Sequence, residues 1–130
     1  MQCYEAILTV TKNDLDDLNH VNNVSYVQWV QNIAKNHWLQ KASKSILDTY
    51  FWVMVSHFIE YKGEALLNDV IKLKTYITKS EGVKSTRIVE IINERTNELL
   101  AKSETTWCLI KSETKKPTRI TQDIKNLFLK

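Results

Sequence analysis

The longest helical pattern in the chain runs from about residue 23 to residue 42. Apolar side chains recur there at three- and four-residue spacing, which is typical of a helix packed along one side. Tyr26 and Trp29 widen this apolar side, so we expect the helix to be largely enclosed. Asn22 or Asn23 can cap the first turn by accepting a backbone N–H. The recurring apolar residues are Val24, Val27, Val30, Ile33, Ala34 and Trp38.

Strand patterns dominate the rest of the chain. Residues 51–61 are apolar on both faces, which predicts a central strand rather than an exposed edge. Residues 69–79 alternate between apolar and polar positions, which predicts a half-exposed strand. Pro117 is expected to end the sheet, because proline cannot donate a ladder hydrogen bond. The predicted strands are residues 2–12, 51–61, 69–79, 85–93 and 99–111.

Two short helices complete the predicted elements. A helical turn over residues 43–50 can be capped by Ser43 or Ser45, and Thr121 can cap a C-terminal helix. A run of strands beside one long helix indicates an α+β fold with an antiparallel sheet. We therefore expect a single domain over residues 1–130, in which a curved five-stranded sheet wraps around the long helix.

The composition narrows the chemistry that this domain can perform. The chain has 130 residues, a net charge of +3, two glycines and one proline. These values argue against a glycine-rich phosphate loop and against a nucleic-acid partner. Two distant cysteines predict neither a disulfide framework nor a metal site, and no cofactor is expected. Signal-peptide features and a membrane-spanning apolar run are both lacking, so we expect a cytoplasmic protein.

One polar segment stands directly before the long helix. Residues 13–22 are rich in Asn and Asp and include Asp16 and His20. A capped helix start with a solvated acidic loop would account for this composition. A catalytic site would account for it as well, because a helix N-terminus offers free N–H groups to a developing oxyanion. An upstream carboxylate could then act as nucleophile or as general base on water.

The same segment resembles a family signature. It is similar to that of hotdog-fold thioesterases of the 4-hydroxybenzoyl-CoA thioesterase type, close to the bacterial long-chain acyl-CoA and plant acyl-ACP branches. The resemblance extends over nearly the whole chain, and it implies the hotdog fold and hydrolysis of an acyl thioester. The matching residues are Asp16-x-x-x-His20-Val21-Asn22-Asn23-x-x-Tyr26-x-x-Trp29.

The resemblance implies catalytic roles for four residues. The catalytic carboxylate falls on Asp16, and the backbone N–H that polarises the thioester carbonyl falls on Asn23. His20 and Glu64 match further positions of the acyl-ACP branch, although two other positions of that branch differ here. Asp14 is expected to be structural.

Four further residues are expected to bind the substrate. Asn22 and Tyr26 belong to the signature, and they lie at the start of the predicted helix. Lys84 and Arg87 lie at the start of a strand and are the cations expected to meet the CoA phosphates.

Assembly and the identity of the substrate stay open. Two copies paired edge to edge would cover the exposed edges of one curved sheet. The resemblance also implies a site at a dimer interface, so a homodimer is the expected minimum and a homotetramer is a further option. Acyl-CoA is the first expected substrate, and acyl-ACP is the alternative. An enoyl-thioester hydratase and a non-catalytic acyl-thioester binder are the rival functions.

Overall fold

The computed structural model describes residues 2–129, and it contains the predicted helices and strands in the predicted order. A short 3-10 helix at Lys12–Asp14 follows the first strand. The elements are β1 (Tyr4–Thr9), α1 (Asn23–Lys41), α2 (Lys44–Thr49), β2 (Tyr50–Tyr61), β3 (Val70–Glu81), β4 (Lys84–Asn93), β5 (Leu99–Lys111), β6 (Lys116–Pro117) and α3 (Gln122–Leu129).

The five long strands form one antiparallel sheet in the order β1-β3-β4-β5-β2. The sheet curls around α1, so the expected hotdog architecture is confirmed. A two-residue strand, β6, pairs with the end of β5 and places Pro117 opposite Ile110. Pro117 is the last residue of β6, so the prediction that it ends the sheet is confirmed. A proline is tolerated there because β6 lies at the edge of the sheet, off the path of the five long strands.

The core fills the space between α1 and the inner face of the sheet. Trp29, Val30 and Ile33 belong to a first cluster with residues of β3 and β4. Trp38 belongs to a second cluster, which α3 completes. The α3 residues buried there are Ile124 and Phe128.

One side of α1 remains open, so the expectation of a largely enclosed helix is wrong for a single chain. Val24, Gln28, Gln31 and Lys35 are exposed, and their three- and four-residue spacing places them on one side of the helix. The curled sheet contacts only the opposite side. The helix caps agree with the prediction: the Asn22 Oδ1 accepts the Val24 N–H at 2.9 Å.

Strand β2 is an edge strand in this chain, which corrects the prediction of a central strand. It pairs only with β5, and a bulge interrupts its register between Met54 and Ser56. The apolar character of both faces is real, but no second strand of this chain covers the outer edge. Five large hydrophobic residues of β2 are exposed: Phe51, Val53, Val55, Phe58 and Tyr61.

Within residues 2–129, no helix combines the length and the apolar character that crossing a bilayer requires.

Candidate functional site

The polar loop before α1 folds around the carboxylate of Asp16. The backbone N–H of Asp16 donates to the His20 carbonyl at 2.8 Å. Its Oδ1 accepts the N–H groups of Leu18 at 2.9 Å and His20 at 3.1 Å. Asn19 closes the loop with a φ of 63°, a left-handed conformation that asparagine tolerates. The carboxylate is thus anchored through one oxygen, and Oδ2 has no hydrogen-bond donor among the described residues.

Asp14 ties this loop to the start of the helix. Its carbonyl accepts the N–H of Asn22 at 2.7 Å, and its Oδ2 accepts the N–H of Thr11 at 2.9 Å. Both groups are therefore engaged in local structure. This arrangement fits the structural role expected of Asp14.

The first turn of α1 leaves one backbone donor free. The Val24 N–H bonds to the Asn22 side chain, and the Ser25 N–H bonds to the Asn22 carbonyl at 2.9 Å. The N–H of Asn23 has no acceptor within residues 2–129. Because it lies at the positive end of the helix dipole, it can donate to an oxygen that gains negative charge.

Two other predicted site residues meet at this end of the molecule. The His20 Nδ1 lies 3.5 Å from the Glu64 Oε1, although the two residues are distant in sequence. Their side chains are 49% and 61% exposed. Solvent screens such a pair, so the pair contributes little to folding stability and serves to orient the two side chains.

Tyr26 acts from within the core. Its side chain is 4% exposed, and its hydroxyl accepts the backbone N–H of Ala65 at 3.1 Å. Burial raises the pKa of this phenol, so it stays neutral. Its ring also packs edge-on against Tyr61 at 5.3 Å. Tyr26 therefore joins α1 to the segment that carries Glu64, where the sequence led us to expect a substrate contact.

The two cations expected to bind CoA phosphates lie on opposite faces of β4. Lys84 is exposed on the outer face beside Lys79 and Glu81. Arg87 is 5% exposed and points inward to α1. The alternation of side chains along a strand separates them, so the structure does not bring these two residues together.

Arg87 belongs to a buried polar cluster that sequence reasoning missed. Its Nη1 is 3.0 Å from the His37 Nδ1 and donates to the Thr75 Oγ1 at 2.9 Å, and Phe128 lies under the guanidinium. Burial lowers the pKa of Arg87 to about 10, so the guanidinium stays charged at neutral pH. Burial first, and Arg87 second, lower the pKa of His37 to about 4. The strand pattern could have indicated that Arg87 is buried, because it lies on the same face of β4 as Ser85 and Val89, which are both buried.

A cavity of about 470 Å³ opens beside this cluster. It lies between α1 and the inner face of the sheet, and α3 closes it from below through Phe128. Five of its lining residues are aromatic, and no aspartate or glutamate of residues 2–129 lines the cavity. The lining residues include Gln28, Lys35, Trp38, Ser85, Arg87 and Trp107.

Metal chemistry has no obvious site in the described part of the chain. Within residues 2–129, no group of three or more His, Cys, Asp and Glu side chains converges as metal ligands would.

Three solved structures illustrate what this chain is similar to. The probable thioesterase YbaW from Escherichia coli is 19% identical, with a TM-score of 0.85 over 95% of this chain and 94% of that one. The 1,4-dihydroxy-2-naphthoyl-CoA thioesterase Slr0204 from Synechocystis is 16% identical, with a TM-score of 0.83 over 97% and 95%. The hypothetical protein SAV2348 from Staphylococcus aureus, in complex with CoA, is 17% identical, with a TM-score of 0.85 over 97% and 81%.

Sequence comparison gives the family. No curated protein matches the chain by sequence. Residues 10–128 do match the family model of the thioesterase-like superfamily. Because this match covers nearly the whole chain and the sheet curls around α1 in the same way as in the structural neighbours, the protein belongs to the thioesterase-like superfamily.

Proposed function

We propose that this chain is an acyl-CoA thioesterase, which hydrolyses an acyl thioester to a free acid and a thiol. One observation carries the proposal. The Asp16 carboxylate is anchored through a single oxygen in the loop that leads directly into α1, whose first N–H, that of Asn23, is free. A carboxylate and an oxyanion donor are the two groups that acyl transfer requires.

In the proposed reaction the thioester carbonyl lies against the Asn23 N–H. Asp16 either attacks the carbonyl carbon or takes a proton from a water whose oxygen attacks. The C–S bond then breaks and the thiolate leaves. In the first route an anhydride forms on Asp16, and water hydrolyses it to regenerate the carboxylate.

His20 and Glu64 are proposed to support this step. The Glu64 carboxylate, 3.5 Å from the imidazole, would orient His20 beside the loop that holds Asp16. From there His20 can position the attacking water. Asn22 contributes by capping α1, which keeps the Asn23 donor in place.

Coenzyme A is the proposed carrier. Support comes from two structural neighbours: the S. aureus protein holds CoA, and the Synechocystis enzyme acts on a CoA thioester. Lys84 remains the proposed phosphate contact. The proposed location is the cytoplasm, which suits the two free cysteines, Cys3 and Cys108.

We propose a homodimer as the working unit. Antiparallel pairing of β2 with its copy would cover the exposed edge and hydrophobic residues along it. The end of β2 lies near the start of α1, where Tyr61 contacts Tyr26, whereas Phe51 and Trp52 at its beginning line the cavity. Such pairing therefore sets the cavity of one copy beside the α1 N-terminus of the other.

The catalytic role of Asp16 can be tested with a matched pair of variants. Asp16→Asn keeps an oxygen that accepts the loop N–H groups but removes the charge. We expect a loss of about 100-fold or more in kcat for acyl-CoA hydrolysis. Asp17→Asn removes the same charge at the next exposed position and should keep kcat within about twofold of wild type, since surface changes of this kind are mild. Equal activity of Asp16→Asn and wild type would reject the assignment.

A further inference from the structure

We propose that Arg87 selects the substrate by binding a carboxylate at the far end of the acyl group. The preferred substrates would then be thioesters of dicarboxylic acids. This inference rests on the proposed thioesterase function, and it names the class of acyl group that the site takes.

The guanidinium of Arg87 is buried without an acidic partner in the described part of the chain. Its only hydrogen bonds there use Nη1, and both partners, His37 and Thr75, are neutral. Neither Nη2 nor Nε has an acceptor within residues 2–129, and no ion pair found there includes Arg87. A buried cation is costly unless a carboxylate or a similar anion is supplied, so this geometry suits an anionic ligand.

The cavity beside Arg87 has the charge that such a ligand requires. Lys35 and Arg87 both line it, and no carboxylate side chain of residues 2–129 does. Trp38 and Trp107 supply apolar wall for a methylene chain, while Ser85 adds a hydroxyl on the strand face of Arg87. Apolar walls with one fixed cation favour an acyl chain that carries a negative charge at its end.

The cavity also lies in line with the proposed catalytic end of α1. Its first wall residue, Gln28, is five residues beyond Asn23, or about 8 Å along the helix axis at 1.5 Å per residue. Val24, Gln28 and Lys35 continue along the same open side of α1. Arg87 itself contacts His37, which is fourteen residues or about 21 Å beyond Asn23 along the helix axis, and this is too far for an acyl group of six to eight carbons held at the Asn23 of the same chain. In the proposed dimer, β2 pairing sets the cavity beside the α1 N-terminus of the other copy, and the acyl group reaches Arg87 from that site.

The test compares acyl-CoAs that match in length and differ only in a terminal carboxylate: adipoyl with hexanoyl, suberoyl with octanoyl, and sebacoyl with decanoyl. We expect wild type to prefer one of the carboxylated members by roughly 10- to 100-fold in kcat/KM, the range of a charge-assisted hydrogen bond. Arg87→Met should remove this preference while retaining hydrolysis of the uncharged member. Arg87→Lys should restore part of it, and Arg95→Met, at an exposed turn, should leave it intact.

A binding measurement separates this proposal from the thioesterase assignment. Calorimetry with the Asp16→Asn protein should show tighter binding of the carboxylated acyl-CoA, and the added Arg87→Met substitution should abolish that difference. Arg87-dependent binding with no turnover by wild type would refute the thioesterase and retain the carboxylate site. Turnover by wild type without a carboxylate preference, or a preference that survives Arg87→Met in a folded protein, would overturn the role of Arg87.

Discussion

The buried pair of His37 and Arg87 shows how burial, reinforced by one contact, sets the ionisation of a histidine. The His37 Nδ1 lies 3.0 Å from the Arg87 Nη1, and the imidazole is fully buried. Protonation of His37 would therefore place two positive charges together in the core. The helical spacing around His37 indicates only that it packs or lies on the surface. The partner is a residue of β4, and a single sequence does not reveal which strand faces which turn of a helix.

This pairing predicts a pH dependence of stability. The folded pKa of His37, about 4, lies below the ordinary value of 6.5. Between these two values the unfolded chain takes up a proton that the folded chain does not, so the free energy of unfolding falls as the pH falls. The loss should approach roughly 3 kcal/mol. In His37→Asn, whose amide oxygen can still accept from Arg87, this loss should disappear.

Urea unfolding of both proteins from pH 6.5 to pH 4 measures the effect. Carboxylates titrate equally in the two proteins, so only the difference between the two curves reports His37. Curves that run parallel over this interval would show that His37 does not titrate as the burial requires.

Strand β2 marks the point at which prediction from sequence stops being reliable. The helix α1, its Asn22 cap and all five long strands could be predicted from periodicity, because these patterns reflect local geometry. The edge position of β2 could not, because an apolar strand looks the same whether its neighbour belongs to its own chain or to another one. His20 and Glu64 are expected at the site only through the family resemblance, because no local pattern relates residues so far apart in sequence.

The exposed edge of β2 predicts the effect of a charge placed there. Phe58→Lys should give a folded monomer with activity reduced at least tenfold, because the proposed site needs both copies and a lysine blocks strand pairing. Ile7→Lys is the control, since Ile7 lies on β1 at the opposite edge and is 58% exposed, close to the 64% of Phe58. It should leave both properties unchanged. Light scattering and acyl-CoA turnover decide the matter, and an active dimeric Phe58→Lys protein would contradict the proposed interface.

At the scale of the whole molecule, we propose that a small domain with two glycines uses a helix N-terminus where other folds use a glycine-rich loop. The anchored Asp16 and the free Asn23 N–H lie at one end of α1, and the cavity with Arg87 begins further along the same helix. The chemistry proposed for the first end starts from the resemblance of the loop sequence to a family signature. The cavity depends on packing between α1, the sheet and α3. Selectivity for the acyl group therefore cannot be predicted from local sequence patterns.

The most direct test of the account is the release of free thiol from acyl-CoA substrates by the purified wild-type protein. The substrates should include short, long, aromatic and carboxylated acyl groups, and the free acid should be measured in the same samples. We predict steady release of thiol and acid in equal amounts from at least one substrate. Tight binding of acyl-CoA without release of thiol from any member of the panel would contradict the account.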